Sequence, residues 1–190
     1  NSCNQHDGFS CYLLAIMSPL QEMMNLLNKA CEGGVMKACL SIADDLGAKD
    51  KTQDSLKLLE GLCNKQVPHA CAKIGLLEFK KGSKEKGLQF LEKKCREENG
   101  ETCMLRAILA KDSGDSVKAK EFYERGCNFS DEKSCYYLAS EFLIGEKNYS
   151  LAINKVNFGC MNHHAPSCAL IGNIYLELGN FEESEKYYIP

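Results

Sequence analysis

The chain has no uninterrupted apolar stretch longer than the seven residues from Cys11 to Met17. A membrane-spanning helix needs roughly 18 to 20, so membrane insertion is not expected. It has no basic cluster either: 23 Lys and Arg are scattered among 26 Asp and Glu, and the sequence pI is ≈ 5.9. The electrostatic footprint of backbone-driven nucleic-acid binding is therefore missing, and no nucleic-acid partner is expected. No C-x-x-C occurs, which removes the spacing that lowers the pKa of a redox-active thiol. Sustained period-two alternation is lacking and β-branched residues are sparse, so strands are not expected. Tryptophan is absent and proline is scarce, at 4 in 190 residues. No basic stretch followed by an apolar segment opens the sequence, so any secretory signal has been removed or lies outside it.

What the chain has is cysteine, at 3, 11, 31, 39, 63, 71, 95, 103, 127, 135, 160 and 168. These are six C-x7-C couples with none left over. They recur every 32 residues from Cys31 to Cys127, then after 33 at Cys160, while the first interval is 28. Such a period is that of an αα-hairpin repeat.

The flanks of the second cysteine repeat as well. Before it stands a small residue: Ser10, Ala38, Ala70, Thr102, Ser134 or Ser167. Three positions after it come Leu14, Ile42, Ile74, Leu138 and Ile171, with Arg106 the exception, and four positions after it Ala15, Ala43, Gly75, Ala107, Ala139 and Gly172. Offsets of 0, 3 and 4 share one helix face. Each second cysteine thus opens a helix with a buried aliphatic knob beside a notch that lets a neighbour approach. Segments ending at the first cysteine, such as Gly87 to Cys95, read as second helices. Breaker-rich stretches separate the helices at Gly47 to Gln53, Lys80 to Gly87, Asp112 to Asp115, Gly145 to Tyr149 and Gly179 to Asn180. Ser18, Pro19 and Gln21 form a capping box that starts the second helix early and explains the 28-residue interval. The expected fold is an all-α solenoid of αα-hairpin repeats, at about 1–31, 32–63, 64–95, 96–127, 128–160 and a partial 161–190.

The constant gap and flanks select nearest-neighbour pairing: Cys3–Cys11, Cys31–Cys39, Cys63–Cys71, Cys95–Cys103, Cys127–Cys135 and Cys160–Cys168. Each bridge closes a small loop, about 2 to 3 kcal/mol in the chain-entropy account. Zinc fits less well, because its ligand pairs usually stand two to four residues apart. No metal or cofactor is called for. Six structural disulfides place the chain in an oxidising compartment, periplasmic or secreted.

The A-x-x-L-G-like helix face, the second helices ending K-A-C or R-G-C and the C-x7-C clamp resemble the cysteine-rich branch of the Sel1-like repeat proteins, including the Helicobacter cysteine-rich proteins. Lys29 to Ala43, Arg125 to Ala139 and Gly159 to Gly172 carry the resemblance most clearly. It implies the helical repeat fold and a role as an exported adaptor that binds a protein or peptide. Some members are described as penicillin-binding or β-lactamase-like, which supplies a competing reading. A third is an assembly factor of the mitochondrial intermembrane-space type. The family's repeats commonly run longer, with a Gly-rich loop that is abbreviated here. The next first cysteine would fall near position 192, so the chain reads as an excerpt of a longer array.

Candidate sites follow. Ser83 with Lys86, and Ser130 with Lys133, satisfy S-x-x-K, but the S-D-N and K-T-G elements of the β-lactam enzymes are missing. His6, His69, His163 and His164 are expected as turn histidines. Asn148, in E-K-N-Y-S, and Asn128, in N-F-S, are glycosylation sequons. The expected partner-binding wall is built from the first helices, where Asp44, Lys73, Leu105, Tyr137 and Asn173 stand two or five positions after the second cysteine. Tyr137, Lys73 and Asp44 are expected to be exposed.

Overall fold

The computed structural model describes residues 3, 7–67, 69–97 and 99–188; the side chains of residues 20, 21 and 142 are also outside the described set. His6 is outside it too. Among the described residues there are twelve helices and no strand. The chain divides into two compact units, Asn1–Leu88 and Gln89–Pro190. This is the αα-hairpin repeat fold, all-helical and without sheet.

In the first unit, α1 (Gly8–Met17) pairs with α2 (Leu20–Glu32), and α3 (Met36–Ala48) with α4 (Thr52–Asn64). Then come α5 (Ala70–Lys81) and α6 (Lys84–Arg96), within which the division between units falls. Each of α1 to α4 also packs on the helix that follows it. One core holds Cys11, Ala15, Leu27, Ala30, Ala38 and Ile42. The knob of the first repeat departs from expectation: Leu14 is 40% exposed, on a helix that also exposes Phe9, Leu13, Ile16 and Met17.

In the second unit, α7 (Gly100–Asp112) and α8 (Ser116–Asn128) form one hairpin, α9 (Glu132–Leu138) and α10 (Tyr149–Met161) the next, and α11 (Ala165–Glu177) and α12 (Phe181–Tyr188) the last. The knobs Leu138 and Ile171 are buried at 1% and 0%, with Phe122, Tyr123, Val156 and Ile174 around them. Truncating such a side chain to alanine costs about 2 to 5 kcal/mol.

The notch residues Ala15, Ala43, Gly75, Ala107, Ala139 and Gly172 are all buried. In three repeats the notch meets a second small residue on the partner helix, Ser55, Gly87 or Ser184, and in the other two of the later five Ala119 and Ala152 are buried in the same core as Ala107 and Ala139. Ser55 Oγ donates to the Ala43 carbonyl at 2.6 Å, and Ser184 Oγ to the Gly172 carbonyl at 2.9 Å. A Cβ built on Gly87 would lie 2.7 Å from the Gly75 carbonyl oxygen. Only small residues allow the two helices of a hairpin to cross this closely.

Helix boundaries differ from the sequence reading in three places. Gly47 and Gly87, read as breakers, lie inside α3 and α6, because side-chain clearance rather than a turn requires them. Ser18 does not cap α2. Its hydroxyl donates back to the Leu14 carbonyl at 2.8 Å, and Pro19 is the N-cap residue with no side-chain cap bond. The early start of α2 nonetheless holds: α1 and α2 begin 12 residues apart, whereas α3 and α4 begin 16 apart.

The 33-residue interval has a local cause. The helix begun by α9 passes into a π-turn, Ala139–Leu143, and the Ile144 amide donates to the Ala139 carbonyl at 3.1 Å. In three other repeats the carbonyl that closes the end of the first helix is Leu46, Ala110 or Tyr175, seven residues after the second cysteine; in this repeat it is Leu143, eight after. The additional residue is therefore absorbed between Ala139 and Leu143, as an insertion in a helix commonly is.

Candidate functional site

The hairpin junctions are built by two consecutive devices. The preceding second helix ends on a residue in the left-handed region, Gly34, Gln66, Ser130 or His163. The amide after it then reaches back five residues, from Val35 to Ala30, Val67 to Leu62, Asp131 to Gly126 and His164 to Gly159, at 2.8 to 3.0 Å. This closing turn satisfies carbonyls that the helix end leaves orphaned and aims the chain into the next first helix.

In the five later couples the turn also brings the two cysteines together, one in the last turn of a second helix and one in the first turn of the next helix. Cys31–Cys39, Cys63–Cys71, Cys95–Cys103, Cys127–Cys135 and Cys160–Cys168 are disulfides, as is Cys3–Cys11, with Cα–Cα distances of 4.5 to 4.9 Å. No free cysteine remains. Beside two bridges the helices touch through glycine: a Cβ on Gly126 would collide with Ser134 Oγ, and one on Gly159 would sit 2.8 Å from Ser167 Oγ. Ser134 and Ser167 are the small residues that precede the second cysteine, both 0% exposed.

On the first-helix faces, the five residues expected to meet a partner fall into different surroundings. In the first unit, Lys73 Nζ donates to both carboxylate oxygens of Asp44 at 2.7 and 2.8 Å, the side chains being 32% and 57% exposed. An exposed pair of this kind contributes at most about 1 kcal/mol, but it ties α5 to α3. In the second unit Leu105 is half-buried and Asn173 is exposed, accepting a hydrogen bond from the Tyr188 hydroxyl. Tyr137 departs from expectation. It is half-buried, stacked on the buried Tyr123 at 5.5 Å between ring centroids and edge-on to Tyr136 at 5.5 Å. Burial, with Glu141 nearby, pushes the Tyr123 phenol well up, so it stays neutral.

Arg106, the exception among the aliphatic knobs, has its guanidinium 4.9 Å from the centroid of Phe122, and its buried Nε has no partner among the described residues. Arg125 approaches the same ring at 5.6 Å. The arginine keeps the packing role of the missing aliphatic through its stem and its ring contact.

The remaining candidates have structural surroundings. Ser83 lies between α5 and α6, and its Oγ accepts the Lys86 amide at 3.4 Å, a capping contact that accounts for the S-x-x-K spacing there. Ser130 is the left-handed residue of a closing turn. His163 occupies the same position in the next turn, while His164 is the N-cap residue of α11 with Nδ1 2.7 Å from Ser167 Oγ. His69 precedes α5 with φ 69°. Among the described residues no group of three or more His, Cys, Asp or Glu is arranged to hold a metal ion. Asn148 is the exposed N-cap of α10 and makes no side-chain cap bond, whereas Asn128 accepts from Lys155 Nζ at 3.3 Å. Among the described residues no helix is long and apolar enough to cross a membrane.

Two comparisons bear on this architecture. A tetratricopeptide repeat family model matches residues 165–189, the segment of α11 and α12. Among solved structures, a Sel1 repeat protein from Oxalobacter formigenes matches with a TM-score of 0.56 and 18% sequence identity. The match covers 97% of this chain and 61% of that one. No curated protein matches the chain significantly. Matched over nearly its whole length in structure and at its last hairpin in sequence, the chain has the helical-hairpin repeat fold of Sel1 and tetratricopeptide repeat proteins.

Proposed function

We propose that the chain is an exported protein-interaction scaffold, periplasmic or secreted, that holds its first-helix faces ready for a peptide or protein partner. The observation that carries this reading is the combination of one disulfide at every described hairpin junction with side chains left accessible on the first helices, Asp44, Lys73 and Asn173 among them. Cross-linked junctions lower the conformational entropy lost on binding, so a face assembled before the partner arrives binds more tightly for the same contacts. The six bridges also support an oxidising compartment, since reducing cytosol does not maintain them. The cysteine-rich Sel1-like branch is the family in which this reading sits most naturally, on the strength of the C-x7-C clamp. Neither the β-lactam reading nor the intermembrane-space reading gains a specific observation, the S-x-x-K at Ser83 being engaged in capping.

The test is site-specific photocrosslinking in an exporting bacterial host. A crosslinker at Leu105 or Asn173 is expected to give one discrete adduct, and the same probe at Lys57 or Glu124, exposed on second helices, none. Adducts from Lys57 and Glu124 but not from Leu105 or Asn173 would place binding elsewhere and overturn the reading.

A further inference from the structure

In the first unit a pocket of ≈ 300 Å³ opens between α3, α4 and α5. Its lining combines an aliphatic set, Leu59, Leu76 and Leu77, here called its floor, with three lysines, Lys73, Lys80 and Lys81, here called its rim. The size falls at the lower end of small-ligand sites.

The pocket exists because of Gly47. This glycine lies in the last turns of α3 without the positive φ that would require it, and a helix-interior glycine costs about 1 kcal/mol relative to alanine. Counted from the second cysteine, the same position carries Phe79, Lys111 and Leu176 in other repeats. At Gly47 a Cβ would already stand 3.3 Å from Leu77 Cδ1 and 3.7 Å from Ser55 Oγ. Any larger side chain would enter the space that the pocket occupies.

The charges on the rim set the ligand. Lys73 is neutralised by Asp44, and Lys81 by Asp50 at 2.5 Å. Lys80 is exposed and has no acidic partner among the described residues. Asp44 is the one acidic side chain in the lining, against three lysines. An apolar body seated on the leucines with a single carboxylate at the rim satisfies both halves of the site, and a neutral or cationic ligand satisfies only the floor.

We propose that this pocket binds an apolar carboxylate: a leucine-like or short acyl body on the leucine floor, with its carboxylate at Lys80. The chemistry is shared by a protein C-terminus ending in a large aliphatic residue and by a free medium-chain fatty acid. The site goes beyond the scaffold reading, and the two fail separately, because the probe positions expected to report a partner, Leu105 and Asn173, lie in the other unit.

The experiment is a methyl-NMR titration of the whole chain with octanoate, acetyl-Gly-Gly-Leu, the C-terminal amide of that peptide, and octanol. Saturable shifts confined to the methyls of Leu59, Leu76 and Leu77 are expected with the two acids below about 1 mM, with the amide and alcohol binding about tenfold more weakly. Gly47→Leu fills the space and is expected to abolish the response, and Lys80→Gln to weaken it about fivefold. A stronger response to the peptide acid assigns the site to protein C-termini, and a stronger one to octanoate assigns it to free acids. Equal binding of acid and amide, no response to either acid, or undiminished binding by Gly47→Leu with a native-like spectrum would overturn the proposal.

Discussion

The Ile144 amide bonds to the Ala139 carbonyl, five residues back, at 3.1 Å. This one bond marks where a 33-residue repeat is accommodated in an array otherwise stepping by 32. An element that absorbs an insertion tolerates its removal. Deleting Ser140 is expected to shift the urea unfolding midpoint little, by the equivalent of about 1 kcal/mol or less, because it returns the helix to ordinary i to i−4 bonding. Deleting Ile108 from α7, which has no spare residue, is expected to cost several times more, since everything beyond it on the helix rotates off its face. Equal costs would show that the π-turn does not hold the inserted residue.

Glycines in the helices separate by what stands opposite them. Gly126→Ala drives a methyl into Ser134 and is expected to destabilise by about 1 to 3 kcal/mol. Gly61, in α4, has open space at its Cβ position, so Gly61→Ala is expected to stabilise by up to about 1 kcal/mol through helix propensity alone. Chemical denaturation of both variants reads the two signs.

The buried serines divide in the same way. Ser134 Oγ is buried with no hydrogen-bond partner among the described residues, and the equivalent residues Ala38 and Ala70 carry no hydroxyl. Ser134→Ala is expected to be neutral or stabilising by about 1 kcal/mol, whereas Ser55→Ala loses its bond to the Ala43 carbonyl and is expected to cost about 0.5 to 1.5 kcal/mol. A double-mutant comparison under one denaturant series decides the order.

Asp115 caps α8, accepting from the Lys118 amide at 3.1 Å. The Lys118 ammonium and amide hold its carboxyl below the ordinary 3.8. A carboxyl lowered in the folded state contributes stability that is present above its unfolded value and lost as pH falls through the folded value. Asp115→Asn keeps the capping acceptor but loses the charge, so it is expected to be slightly less stable than the parent at pH 7 and to converge with it below about pH 4, with a shallower acid limb. An unchanged acid limb would exclude this contribution.

Much of the fold was legible because cysteine spacing and helix-face pattern are independent signals that agree. The notch residues were read from one helix, but their partners were not, although Ser55, Gly87, Ala119 and Ser184 stand 16 residues after the second cysteine. Ala152 stands one later, displaced by the π-turn, and that slip broke the regularity. Gly47 and Gly87 look like breakers in the sequence, which does not distinguish a glycine kept for its backbone from one kept for clearance. Periodicity places Tyr137 outward on its helix, which makes it look like an exposed anchor. Its ring instead turns onto Tyr123, a contact between hairpins that periodicity within one helix cannot reveal. The pocket floor escaped for the same reason, since Leu59 and Leu77 come from different helices.

The most direct test of the clamped-repeat account is a free-thiol count on the native protein, combined with non-reducing peptide mass spectrometry. The account predicts no free thiol and six bridges, each joining cysteines eight positions apart. Free thiols in the folded protein, or bridges between cysteines of different couples, would contradict it.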